Sequence, residues 1–165
     1  MIGMVQPDPD AEDDSGETVY GTGTAGRITS FSETGDGRLL IILSGVCRFD
    51  IREEVATTRG YRRVLADWTR FHSDYDDAPV VTADRARLKA LLKLYFSRKK
   101  LETDWETLDR LDLVRLINLL TGQLPLEVAE RQTLIEAVGA DERAEILMGL
   151  LEFATADAPG SESRH

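Results

Sequence analysis

Residues 18–51 read TVYGTGTAGRITSFSETGDGRLLIILSGVCRFDI, and the fold turns on how this stretch is taken. From Thr18 to Thr34 it is rich in Thr, Val, Ile, Tyr and Phe with glycines interspersed, the composition of a strand interrupted by bends or bulges. Gly35-Asp36-Gly37 then supplies the positive-φ residues of a tight turn. Leu39–Leu43 and Val46–Ile51 flank Ser44-Gly45, which reads as one long strand bent at the glycine. Working outward, Ile2–Gln6 is a short apolar segment stopped by Pro7, and Pro7–Gly16 is an acidic loop. Tyr61–Phe71 alternates in part and is predicted as a further strand. The first half is thus predicted to form a small antiparallel sheet or barrel with hairpin connections.

The periodicity changes after residue 83. Leu88, Leu91, Leu92, Tyr95 and Phe96 fall on one stripe of a helix over Asp84–Lys100. Leu108, Leu111, Val114, Ile117 and Leu120 predict a second helix over Trp105–Thr121, stopped by Gly122. Pro125 suits the first turn of a third helix running to about Val138. Asp141 can cap a fourth, with Ile146, Leu147, Leu150, Leu151 and Phe153 on its buried side. Short connections imply a compact bundle of antiparallel neighbours. Strands first and helices second, without β-α alternation, make the class α+β rather than a doubly wound parallel sheet. The expected division is a β subdomain at 1–73, a linker at 74–83, a four-helix bundle at 84–157 and a disordered polar tail at 158–165.

The 165 residues are 42% apolar and 30% charged, enough for a packed core and too apolar for wholesale disorder. The longest apolar run, Leu39–Leu43, is far below the ~20 residues of a membrane span. No charged, apolar leader opens the sequence. Its single cysteine, Cys47, excludes an intrachain disulfide and a multi-thiolate zinc site, and fits a reducing, cytoplasmic setting. The net charge of −10 disfavours phosphate backbones and anionic membranes as general partners.

Templates for chemistry mostly fail. No GxxxxGK[ST] loop or HExxH helix is present. Gly21, Gly23 and Gly26 spell GxGxxG, but Arg27-Ile28-Thr29 continues as strand where a dinucleotide site needs a helix. Glycine bulges in a curved sheet account for them better. His72 beside Asp74, Asp76 and Asp77 reads as a polar linker before it reads as a metal or acid/base site. Cys47 reads as a small buried apolar residue. Trp68 and Trp105 read as core anchors. Arg98-Lys99-Lys100 complements the negative end of a helix dipole. No catalytic residue, cofactor or metal ligand is assigned.

The ordered set Ile2-Gly3-Met4-Val5-Gln6-Pro7, Gly23-Thr24-Ala25-Gly26-Arg27-Ile28, Gly35-Asp36-Gly37-Arg38 and Leu43-Ser44-Gly45-Val46-Cys47-Arg48-Phe49 resembles the N-terminal, substrate-binding domain of Lon proteases. In the helical half, Leu116–Leu120, Pro125, Arg131-Gln132-Thr133-Leu134-Ile135-Glu136 and Glu142-Arg143 extend the resemblance to roughly residues 2–153. It implies a PUA-like β subdomain followed by a helical bundle, and a role in binding polypeptide. The family's ATPase and serine–lysine protease chemistry lies in other modules, so the expectation is a stand-alone, non-catalytic domain.

The family's usual first strand and helix have no counterpart here. That carries the expectation that Met1 marks a fragment or truncated gene model whose sheet has an open edge or groove. Gly23, Gly26, Gly37 and Gly45 are read as backbone devices where a small sheet must curl, with Arg27 and Phe49 as motif positions. Arg48 is read either as a structural ion pair or as a contact to bound peptide. The expected partner is unfolded or extended polypeptide, with a protease or chaperone as a further associate. RNA binding through the sheet is the alternative, and a contiguous surface of Arg59, Arg62, Arg63 and Arg70 would favour it. Oligomeric state is not legible.

Overall fold

The computed structural model describes residues 1–9, 11, 18–58, 60–76 and 81–156. The chain divides into two compact units, Met1–Ala78 and Pro79–His165. Most of the expected acidic loop, part of the expected linker and the expected tail lie outside the described residues, as does Arg59.

The first unit is a four-stranded antiparallel sheet in sequence order: β1 (Ile2–Met4), β2 (Thr22–Glu33), β3 (Leu39–Val55) and β4 (Arg63–Asp67). Gly37, at φ 79°, allows the chain to reverse between β2 and β3, and Thr34 and Arg38 close that turn with a backbone hydrogen bond of 2.8 Å. The two long strands pair from Thr22↔Asp50 to Glu33↔Leu39. Ala25 opposes Cys47 while Gly26 opposes Gly45, so Val46 is the extra residue of a bulge. A second shift, between Ile28 and Ser30, leaves Thr29 as the extra residue on β2. Each bulge adds twist to the hairpin.

The expected strand over Tyr61–Phe71 is too long. Only Arg63–Asp67 pairs with β3, and Thr69–Tyr75 is a 3-10 helix kinked at Phe71. Thr69 N–H donates to Asp67 Oδ1 at 3.0 Å and turns the chain out of the sheet. This brings Phe71, fully buried, against β3, with its carbonyl oxygen 3.5 Å from the Cys47 sulfur. The Phe49 and Trp68 rings meet at 5.5 Å.

The second unit is helical: α1 (Arg85–Lys99), α2 (Trp105–Arg110), α3 (Leu113–Gln123), α4 (Val128–Glu136) and α5 (Ala140–Ala156). Asp84 caps α1, its carboxylate accepting from the Ala86 and Arg87 N–H groups. The predicted single helix over Trp105–Thr121 is two helices, so four predicted helices become five. Arg85 donates to the carbonyls of Leu108, Asp109 and Leu111, which ends α2, and Asp112 then caps α3 through the Arg115 N–H at 2.8 Å. Gly122 does not stop α3, which runs on to Gln123. Pro125 precedes α4 instead of opening it. Glu127 is the N-cap, and its N–H donates to Glu130.

α5 packs against α1, α3 and α4. Its Ala144, Leu147, Met148 and Leu151 join Leu88, Leu92, Ile117, Leu120 and Leu134 in one core. Phe153 was expected on the buried face and is 65% exposed instead. Asp141 lies inside the first turn and does not cap it. Its Oδ1 accepts from the Thr82 and Ala83 N–H groups at 2.7 and 2.9 Å, fastening the residues ahead of α1 to the start of α5.

Candidate functional site

The first unit buries few large side chains and exposes many. β1 covers the outer edge of β2 only at Thr24–Gly26, and β4 covers β3 only at Asp50–Val55. The outer half of the β2–β3 hairpin, residues 27–44, is therefore a two-stranded arm with no strand on either outer edge among the described residues. On it Ile28, Phe31, Leu39, Leu40, Ile41 and Ile42 are exposed, Phe31 at 72%.

Register sorts these residues onto faces. Ile28 opposes Leu43 and Phe31 opposes Ile41, so both pairs share one face of the ribbon with Leu39. Leu40 and Ile42 lie on the other face, opposite Ser32 and Ser30. Burying each large apolar side chain is worth about 1.5–3 kcal/mol, so the first face alone could gain several kcal/mol from a cover. The signal was present in the sequence as Leu39–Leu43, an unbroken apolar run. Its length pointed to a strand, and nothing local indicated that both faces would meet solvent.

The root of the arm is polar, ordered and closed. Arg48 is 7% exposed. Its Nη2 donates to Asp74 Oδ1 at 2.6 Å and its Nε to Oδ2 at 2.9 Å, while its backbone N–H donates to Oδ2 at 2.9 Å. Arg48 and Arg70 both stack on Phe71, at 4.4 and 4.8 Å from the ring centre. Asp50 Oδ1 accepts from Thr22 Oγ1 at 2.6 Å and from Arg70 Nη1 at 3.2 Å. The Arg48 guanidinium is thus committed inside the unit and is not presented to solvent. Asp74, expected to begin a linker, is a structural part of the sheet unit.

Of the glycines singled out, Gly23 is fixed by space: a Cβ there would lie 2.4 Å from Val5 Cγ1 and 2.7 Å from the Met4 carbonyl oxygen. Gly26 is tighter than ordinary contact, 3.2 Å from Leu43 Cβ. Gly45 departs from the expectation of a required backbone device. Its φ is not positive, and a Cβ would meet nothing within 4 Å. Arg27 is exposed at the start of the arm, and Phe49 is buried at its root.

The remaining candidates are spread apart. Burial pushes the Cys47 thiol up from its ordinary value, the opposite of what a nucleophile requires. His72 is exposed and sits edge-on to Tyr75 at 5.9 Å. No group of His, Cys, Asp and Glu able to hold a metal ion occurs among the described residues. Arg62 pairs with Glu54, and Arg70 with Asp50. A shallow cavity of about 660 Å³ lies at the β3–β4 turn, lined by Ala56, Thr57, Thr58, Tyr61 and Arg63. No described helix is long and apolar enough to cross a membrane.

Comparison with known proteins gives a consistent result. The family described as the ATP-dependent protease La (LON) substrate-binding domain matches residues 1–152. Lon protease of Haemophilus influenzae is 27% identical over 150 residues, which are 89% of this chain and 18% of that protein. The chain therefore spans less than a fifth of that relative's length. A Lon N-terminal domain protein from Xanthomonas campestris superposes with a TM-score of 0.57 at 19% identity, over 79% of this chain and 68% of the other. The N-terminal domain of a Mycobacterium avium complex Lon protease gives 0.51 at 18% identity, over 95% of this chain and 92% of the other. At these identities the structural likenesses speak for the fold alone, an antiparallel sheet followed by helices.

Proposed function

Because the chain belongs to the Lon substrate-binding domain family, we propose that it is a polypeptide-binding module that holds unfolded or extended chains without altering them covalently. The observation that carries this reading is the family match over residues 1–152. The exposed apolar arm supports it, since solvent-facing Phe31, Leu39 and Ile41 are what an unfolded chain with its own exposed apolar residues would contact. The reading includes an adaptor role, in which bound chains are delivered to a protease or chaperone. The reading assigns this domain no catalytic step of its own. A reducing, cytoplasmic setting suits the lone thiol of Cys47.

The test is a titration of a fluorescently labelled, permanently unfolded protein with the chain, read by anisotropy. Saturable binding is expected, and the folded form of the same protein should not compete. A flat signal up to high micromolar concentration of the chain would end the reading. Affinity capture that returned ribosomal RNA in place of proteins would turn it toward nucleic acid.

A further inference from the structure

Resting on the polypeptide-binding reading, we infer that the cavity at the β3–β4 turn seats a carboxylate of the bound chain, held by the Arg63 guanidinium with the Thr58 and Tyr61 hydroxyls beside it. The cavity measures about 660 Å³ and is lined by Ala56, Thr57, Thr58, Tyr61 and Arg63. That volume falls within the range of about 300–1,000 Å³ usual for ligand pockets. Four of the five lining residues carry a hydroxyl or a guanidinium. An apolar side chain gains little on such a wall, whereas an anionic group meets donors on it. Gly60, at φ 73°, lets the chain reverse so that Thr57 and Thr58 on one side and Tyr61 and Arg63 on the other line one space. Arg63 opposes Val55 as the outermost pair of the β3–β4 ladder, which sets it at the mouth of the turn.

These donors are not spent on the protein itself. Arg62 is paired with Glu54 and Arg70 with Asp50. Arg63 has no ion-pair partner among the described residues, and the Thr58 and Tyr61 hydroxyls have no hydrogen-bond partner among them. No acidic residue occurs from Val55 to Val64. A guanidinium takes a carboxylate through two parallel N–H···O bonds, and hydroxyls donate to the lone pairs that remain. A lone carboxylate suits this chain better than a phosphate polymer, because a net charge of −10 opposes a polyanion far more than a single charge. Its source is the C-terminus or an acidic side chain of the bound chain.

The test uses the full chain and three labelled peptides of alternating Ser and Val, read by anisotropy. One ends in a free carboxylate, one in an amide, and the third ends in an amide and carries an aspartate at its centre. The terminal carboxylate, the aspartate or both are expected to bind roughly tenfold more tightly than the plain amide, and the peptide that gains identifies the source. Arg63→Gln should bring that peptide down to the level of the plain amide. Thr58→Val and Tyr61→Phe should each weaken it by roughly threefold. Arg27→Gln, at an exposed arginine elsewhere in the unit, should leave it unchanged.

Equal binding of the three peptides, or a gain untouched by Arg63→Gln, overturns the site and leaves polypeptide binding standing. Should Arg63→Gln unfold the chain, the two hydroxyl variants decide in its place. Single-stranded RNA bound more tightly than any of the peptides, and through Arg63, would overturn the inference in favour of phosphate. If no peptide binds while an unfolded protein does, the inference falls alone. If neither binds, the reading beneath it falls as well.

Discussion

Removing the carboxylate of Asp74 should cost the sheet unit a large part of its stability. In Asp74→Ala the Arg48 guanidinium, with its side chain 8% exposed, keeps its charge and loses its bidentate partner. Breaking a buried pair on one side costs about 3–5 kcal/mol. Asp74 itself is 20% exposed, so water can enter the site, which places the expected loss near the lower end, about 3 kcal/mol. That figure includes the Arg48 backbone N–H, which also loses Asp74 as acceptor.

Urea unfolding followed by fluorescence is the assay. Trp68 reports on the sheet unit through its contact with Phe49, and a Trp105→Phe background removes the tryptophan of the helical unit. With a slope of about 1–1.5 kcal/mol per molar for a unit this small, the midpoint should fall by roughly 2–3 M. Arg48→Met with Asp74→Leu should recover most of the loss, because an apolar pair leaves no charge stranded. A cost below about 1 kcal/mol for Asp74→Ala would refute the argument, since that is what an exposed pair gives. So would a double variant as damaged as the single one.

Gly23→Ala should destabilise by about 1–3 kcal/mol, because its Cβ strikes Val5 and the Met4 carbonyl, whereas Gly45→Ala should be neutral or mildly stabilising; thermal melts of both separate crowding from glycine loss in general. Lys100 sits at φ 54° as the C-cap of α1, so Lys100→Gly should raise stability by about 1 kcal/mol, and no gain in the urea midpoint would count against that conformation. Leu147→Ala should cost about 2–5 kcal/mol while Phe153→Ala stays within about 0.5 kcal/mol, measured by far-ultraviolet circular dichroism during unfolding. A hydrogen bond from the Thr107 hydroxyl, then one from its N–H, holds the Asp104 carboxyl below its ordinary value of 3.8. Its contribution is therefore complete above that value and disappears as pH falls through the lower, folded-state value. Asp104→Asn should flatten this part of the acid limb of stability against pH, and an unchanged slope would disprove the cap's electrostatic role.

The sequence made the class of the fold legible because its strongest signals are local. Asp84 before the Leu88, Leu92 and Tyr95 stripe marks α1, and Gly35-Asp36-Gly37 marks the hairpin. Where local signals ran together, the reading slipped. Leu108, Leu111 and Val114 keep helical spacing across a real break, and the one mark of that break is Asp112, the cap of a new helix. Trp68 and Phe71 looked like strand residues, yet a 3-10 turn is what places Phe71 against β3. The Arg48–Asp74 pair spans 26 residues, and no spacing rule connects positions so far apart. The exposed arm was hidden for the opposite reason. An apolar run shows that burial is favourable, but whether anything covers it depends on which edges the other strands occupy.

The central place of α5 also bears on how the chain is made. This helix supplies Ala144, Leu147, Met148 and Leu151 to a core shared with Leu88, Ile117 and Leu134. Asp141 and Glu152 reach back to Thr82 and Arg87, 59 and 65 residues earlier. During synthesis on the ribosome the first four helices emerge before the surface they pack on exists. A nascent chain paused before residue 140 would hold its leucines open to solvent, and the second unit can close its core only once α5 has emerged.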